Sequence, residues 1–141
     1  MTVIIKGRGV VKGVAVGRAM VSRQAIQGWS GVDERTGLVI EQGHPFEGRS
    51  IKDKVLVLSG GKGSNGWSVH FHAAKIKGIG PSALILPYLD SRMAVAAAVL
   101  DVPVITDLEG DPFEDIPMDA LVRVDADRGL VEIFPPGVQS F

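Results

Sequence analysis

Between the apolar run Val55-Leu56-Val57-Leu58 and a helix-like stretch at 69–77 stands Gly60-Gly61-Lys62-Gly63-Ser64-Asn65-Gly66-Trp67-Ser68. A buried strand that feeds a helix through a glycine-rich loop must find a parallel partner, which commits the centre of the chain to βαβ connections. Such a loop also lets backbone N–H groups converge on an anion, because glycine allows close approach and the helix N-terminus favours negative charge.

The surrounding periodicities agree. Residues 54–58 are a short apolar run of buried-strand type. Val69, Ala73 and Ile76 share one helical stripe, with Trp67, Phe71 and Ala74 on an adjacent one. Lys75 and Lys77 suit a last helical turn, and Gly78 suits the position after it. Residues 83–86 read as a second buried strand. Asp90 or Ser91 can cap an alanine-rich helix running to about Leu100, and 102–106 read as a third strand. Right-handed crossovers turn this alternation into a small parallel sheet. Upstream, 3–11 and 14–21 read as β segments in which Gly7, Gly9, Gly13 and Gly17 mark bulges or close backbone approaches. Residues 38–40 read as a short strand. Downstream, a polar loop at 107–117 precedes a hairpin, with 120–124 and 130–134 flanking Asp125-Ala126-Asp127-Arg128-Gly129. The expected fold is α/β: a β/β/α three-layer sandwich with a glycine-rich β layer, a small parallel sheet and helices on one face.

The 141 residues fit a single domain spanning 1–141. A net charge of −1 gives no basic footprint, which counts against nucleic acid as a partner. No apolar run approaches the ~20 residues of a membrane span, and the first residues lack the basic-then-apolar order of a signal peptide; a cytoplasmic location is the expectation. With no cysteine, the chain by itself holds neither a disulfide nor a cysteine-ligated iron–sulfur cluster.

Ser64 is the candidate reactive group, at a point where converging N–H groups would tolerate negative charge. From spacing alone, Ser64 or Asn65 reads equally well as a helix N-cap worth about 1 kcal/mol. The loop is longer and richer in glycine than a cap requires, and it follows a parallel strand, where open α/β sheets place ligands. It is not a phosphate-binding loop of the nucleotide type, since its lysine and hydroxyl come too early. His70 and His72 point in different directions on a helix and cannot chelate one metal. His44 precedes a proline in a loop and suits a surface or packing role. No metal site is expected. Asp33, Glu34, Asp107, Glu109 and Asp111 read as solvated turn residues. Trp29 and Trp67 suit either the core or an interface anchor.

Gly31-Val32-Asp33, Thr36-Gly37, His44-Pro45, Gly48, Lys54 to Leu58 and Gly61-Lys62-Gly63-Ser64 follow one another in an order that resembles the small subunit, or swivelling domain, of the aconitase X family. The resemblance covers roughly residues 7–110. It implies a hydro-lyase in which a large subunit carries an iron or iron–sulfur centre and the small one closes over a carboxylate substrate. This chain would then hold no cofactor of its own. Gly61-Lys62-Gly63-Ser64 also resembles the Gly-x-Gly-Ser loop of aconitases, whose serine removes a proton next to a carboxylate. Carried over, Ser64 is the catalytic base, with Lys62, Gly63, Asn65 and Gly66 around the substrate. Aconitases carry an arginine two places after that serine; here the position is Gly66. Two activities are known for the family, dehydration of cis-3-hydroxy-L-proline to Δ1-pyrroline-2-carboxylate and dehydration of phosphomevalonate. The loop and the following Phe71-His72-Ala73-Ala74-Lys75 look more like the hydroxyproline version, so that substrate is the expectation and phosphomevalonate the alternative. A further alternative comes from residues 98–106 and 120–131, which resemble the phosphohistidine swivelling domain; the chain would then be a phosphoryl carrier using His70 or His72.

Overall fold

The fold was analysed in a computed structural model that describes residues 2–23, 26–27, 33, 36–59, 61–62, 78, 80–87, 94, 97–98 and 100–135. Ten strands are present among them: β1 (Val3–Lys6), β2 (Arg8–Val11), β3 (Val14–Ser22), β4 (Ile26–Gln27), β5 (Val55–Leu58), β6 (Gly61–Lys62), β7 (Ala83–Ile85), β8 (Val104–Thr106), β9 (Leu121–Asp125) and β10 (Leu130–Ile133). Eight form one mixed sheet in the order β1-β10-β9-β3-β5-β7-β8-β2, and β4 pairs with β6.

The outermost strands of that order, β1 and β2, are consecutive in the chain and meet at Gly7. The sheet therefore folds over on itself as two layers. One is antiparallel and contains β1, β10, β9 and the first half of β3, with Val14 to Arg18 pairing against β9. The other contains the second half of β3, with Ala19 to Ser22 running parallel to β5, followed by β7 and β8 in parallel and β2 antiparallel at the edge. Between the layers lies a core of Ile5, Ala19, Val55, Val57, Ala83, Ile85, Ile105, Val122, Val124, Val131 and Ile133. The alternate residues Met20, Leu56, Leu58, Leu84, Leu86 and Val104 form a second core on the opposite face of the parallel layer, beneath Val39, Phe46, Ile51, Ala97 and Leu100. Strands buried on both faces read as unbroken apolar runs, which is why 55–58 and 83–86 are so plain in the sequence. The connections from β3 to β5, β7 and β8 all step the same way across the sheet, so crossovers of one hand put them on one face. The expected β/β/α sandwich is the fold observed.

The closure relies on near-contact of backbones. An added Cβ on Gly9 would collide with the carbonyl of Ala126, and one on Gly129 would lie 2.5 Å from the carbonyl oxygen of Gly7, at a φ of +71°. Gly7 N–H donates to Gly129 O at 2.7 Å across the same seam. The expected segment 3–11 is thus two strands, divided at Gly7, with a register shift between Gly9 and Val11. Three other expectations change in detail. The third parallel strand begins at Val104 instead of 102, because Pro103 has no N–H for a ladder. Residues 38–40 form no named strand: Leu38 bridges Ser50, and Val39 bonds through its backbone to Arg49 and Gly48. The loop at 107–117 includes a helical turn, Pro112–Asp115, whose N-cap Asp111 accepts from Phe113 N–H at 2.9 Å. Ile116 and Phe113 from this turn pack against the inter-sheet core. The expected hairpin is present as β9 and β10.

The motif residues of 33–51 turn out to shape the backbone. Gly37 N–H donates to Asp33 O, while Gly37 and Gly48 have φ of +77° and +82°. His44 is buried; its Nδ1 accepts from Phe46 N–H at 3.0 Å, and its ring lies tilted on that of Phe46 with centroids 5.1 Å apart. Of the two roles open to His44, the packing role is the one observed.

Two substitutions test this architecture. Gly9→Ala forces backbone against backbone and should destabilise the chain by more than about 3 kcal/mol in equilibrium urea unfolding. Thr106 is fully buried at the end of β8, and its Oγ1 has no hydrogen-bond partner. Thr106→Val removes an unsatisfied hydroxyl at nearly constant shape and should raise stability by about 1 kcal/mol in the same measurement.

Candidate functional site

The parallel strands β3, β5, β7 and β8 all end on the same side of the molecule, at Ser22, Leu58, Ile85 and Thr106. Ligands of open α/β sheets gather at that side because loops and helix starts converge there. The glycine-rich loop departs from it. The chain leaving β5 does not break free at once. Gly61 and Lys62, as β6, pair in parallel with Ile26 and Gln27 of β4, the chain leaving β3. The β3–β5 ladder is therefore resumed beyond the sheet, after Ser22 pairs with Leu58 and before Ile26 pairs with Gly61. Residues 23–25 intervene on one strand and 59–60 on the other, so the ladder resumes one residue out of step.

Of the predicted site residues, Lys62 has its backbone held in this short ladder. Gly63, Ser64, Asn65 and Gly66 lie outside the described residues, as do His70, His72, Trp29 and Trp67. Among the described residues no group of three histidines or carboxylates is placed to hold a metal ion.

A cluster that the sequence does not announce sits beside this ladder. Arg23, the residue after β3, donates from Nη2 to Asp111 Oδ2 at 2.7 Å and to Glu114 Oε1 at 2.9 Å. Its guanidinium carbon lies 5.0 Å from the centre of the Phe113 ring. The Asp111 and Glu114 carboxylates raise the Arg23 guanidinium above its ordinary range, and the hydrogen bond from Arg23 holds the Asp111 carboxyl below the usual carboxylate value. Asp111 thus serves two partners, Arg23 through Oδ2 and Phe113 N–H through Oδ1. Asp111 and Asp107 lie in surface turns, as read from the sequence, and each also holds an arginine, Asp107 Oδ2 accepting from Arg8 Nε at 2.8 Å. The ion pairs join residues far apart in the chain, so only half the signal was local. Asp111-Pro112-Phe113-Glu114 carries a cap, a proline at the first helical position and an acid three residues after the cap. Nothing local pointed to Arg23.

Ionised Asp111 is favoured in the folded chain. Its contribution is therefore present above the ordinary carboxylate range and is lost as pH falls through its lowered value. Asp111→Asn keeps a capping oxygen and removes the charge. The difference in melting temperature between parent and variant should be widest at neutral pH and close on acidification, as read by thermal denaturation across the carboxylate range.

Comparison with known proteins bears on this geometry. The family model described as the aconitase X swivel domain matches residues 4–133. The phosphomevalonate dehydratase small subunit of Methanosarcina acetivorans is 36% identical over 132 residues, covering 94% of this chain and 92% of that one. Its counterpart from Pyrococcus furiosus is 37% identical over 133 residues, covering 94% and 97%. The crystal structure of Thermococcus kodakaraensis aconitase X in its holo-form superposes with a TM-score of 0.86 at 35% identity, covering 94% of this chain and 98% of that one. A run of ordered motifs, a two-layer sheet closed at Gly7 and a match along nearly the whole length converge: the chain belongs to the aconitase X swivel-domain family.

Proposed function

We propose that this chain is the small subunit of an aconitase X-type hydro-lyase and that the complex dehydrates phosphomevalonate. The observation that carries the reading is the similarity, along more than nine-tenths of this chain, to relatives named phosphomevalonate dehydratase small subunits at 36–37% identity. It reverses the preference drawn from the loop sequence and favours the alternative stated there. The hydroxyproline reading keeps one specific support, the Gly60 to Ser68 loop with Phe71 to Lys75. The phosphoryl-carrier reading draws no support from these relatives; acid-labile phosphate on His70 or His72 would be its mark.

The two candidate substrates share one chemistry. Each has a hydroxyl on the carbon β to a carboxylate, and loss of water takes a proton from the carbon between them. In this reading Ser64 accepts that proton. A serine hydroxyl is a feeble base, and directed N–H dipoles in a water-poor site stabilise its alkoxide. Lys62 and the N–H groups of Gly63, Asn65 and Gly66 are assigned to the substrate's negative charge. Because the aconitase arginine is replaced by Gly66, the carboxylate clamp falls to those groups or to the partner subunit. The chain's own residues do not fit an iron centre. It has no cysteine, and its described residues gather no ligand set. Such a centre falls to a large subunit, and no step of this chain is routed through it.

The chain reconstituted with its large subunit tests the reading. Phosphomevalonate should be dehydrated by the pair and by neither subunit alone; turnover of cis-3-hydroxy-L-proline instead would reassign the substrate. Ser64→Ala should lower turnover by ~10²–10⁴-fold with assembly intact, the usual contribution of a general base. Near-normal turnover of that variant removes Ser64 from the mechanism.

A further inference from the structure

We propose that Arg23 is a positioning residue for the glycine-rich loop, holding the β4–β6 ladder one residue out of step with the β3–β5 ladder that it continues. This inference rests on the proposed role of that loop.

Four observations place Arg23 there. Regular β3–β5 pairing ends with Ser22 and Leu58, immediately before Arg23. From that position Arg23 reaches across to the chain that follows β8, where Asp111 and Glu114 hold one of its nitrogens and the Phe113 ring lies beneath its guanidinium. Its anchor is itself fixed, since Phe113 packs on the inter-sheet core and its N–H is capped by Asp111. Three residues after Arg23 the chain pairs again, now with Gly61 and Lys62, directly upstream of Gly63 and Ser64. A strand that simply ran on from Ser22 would keep its register with β5. The observed pairings differ in register by one residue before and after Arg23, where the chain is tied to a different element. An inserted residue bends a strand and re-aims the backbone beyond it. Arg23 thereby sets the direction from which the chain enters the loop, without touching substrate itself.

Arginine suits the task better than lysine. One of its nitrogens meets both carboxylates while the flat guanidinium lies over an aromatic ring, whereas an ammonium is a compact point charge.

The test uses the intact chain and its complex with the large subunit. In Arg23→Met, amide hydrogen exchange of the peptide containing Gly61 and Lys62 should speed up by roughly tenfold or more, with β5 and β9 unchanged. In the complex, the same variant should lower kcat by roughly tenfold or more and leave KM within about threefold, because misplaced catalytic groups slow chemistry more than they weaken binding. Arg23→Lys should restore only part of the loss. Arg23→Met combined with Asp111→Asn should be no worse than Arg23→Met alone, as expected for residues acting as one unit. Unchanged exchange at Gly61 and Lys62 overturns the proposal. So does unchanged kcat in Arg23→Met when Ser64→Ala lowers turnover as expected. Full turnover in Ser64→Ala defeats the proposed function instead, and the exchange measurement still decides whether Arg23 sets the ladder.

Discussion

Two sheets can enclose a common core only where strands pass from one to the other, and this chain makes that passage twice. β3 does it by length: its first half pairs antiparallel with β9 and its second half parallel with β5. The N-terminal segment does it by a break at Gly7, so that β1 and β2 lie on opposite edges of the sheet order. At the second passage the backbones of Gly7, Gly9, Ala126 and Gly129 come so close that no Cβ fits on Gly9 or Gly129. The inter-sheet core depends on that seam, because Ile5 of β1 joins Val124 and Val131 of its own layer opposite Ile105 of the parallel layer only if the chain crosses over there.

The closure has a consequence for where chemistry can happen. With one face of the parallel layer covered by β1, β10 and β9, every crossover must use the other face. The loops at the carboxyl ends of β3 and β5 are then neighbours, and the chains leaving those strands pair once more as β4 and β6. The start of the glycine-rich loop is therefore held by backbone hydrogen bonds that originate in the fold's central strand pair. Rigid support of this kind is what a preorganised N–H cradle needs, since dipoles that must reorient give little stabilisation to an alkoxide. The flanking segment 36–51 is tied down independently, by Val39, Phe46 and Ile51 in the core and by an Arg49–Asp119 ion pair of 2.7 Å.

Much of this was legible in the residues. Val55 to Leu58 and Ala83 to Leu86 had to be strands buried on both faces, and the β9–β10 hairpin was marked by Asp125-Ala126-Asp127-Arg128-Gly129. The four N-terminal glycines pointed to backbone contacts, and the ordered motifs pointed to the family. Asp111 was visible as a turn former, yet its pairing with Arg23 was not, because no local pattern links residues 88 positions apart. His44 had two open roles for the same reason: burial depends on what comes to lie against it.

The sequence alone determined the buried central strands, the closing hairpin and the presence of a glycine-rich loop after a central strand, since periodicity, turn chemistry and backbone freedom are properties of neighbouring residues. Tertiary structure alone decided that β1 and β2 sit on opposite edges, that β4 and β6 extend the central pair one residue out of step, and that Arg23 is anchored on Asp111, Glu114 and Phe113. Those features depend on which distant backbones come within hydrogen-bonding range, and that distance is set only once both cores have packed.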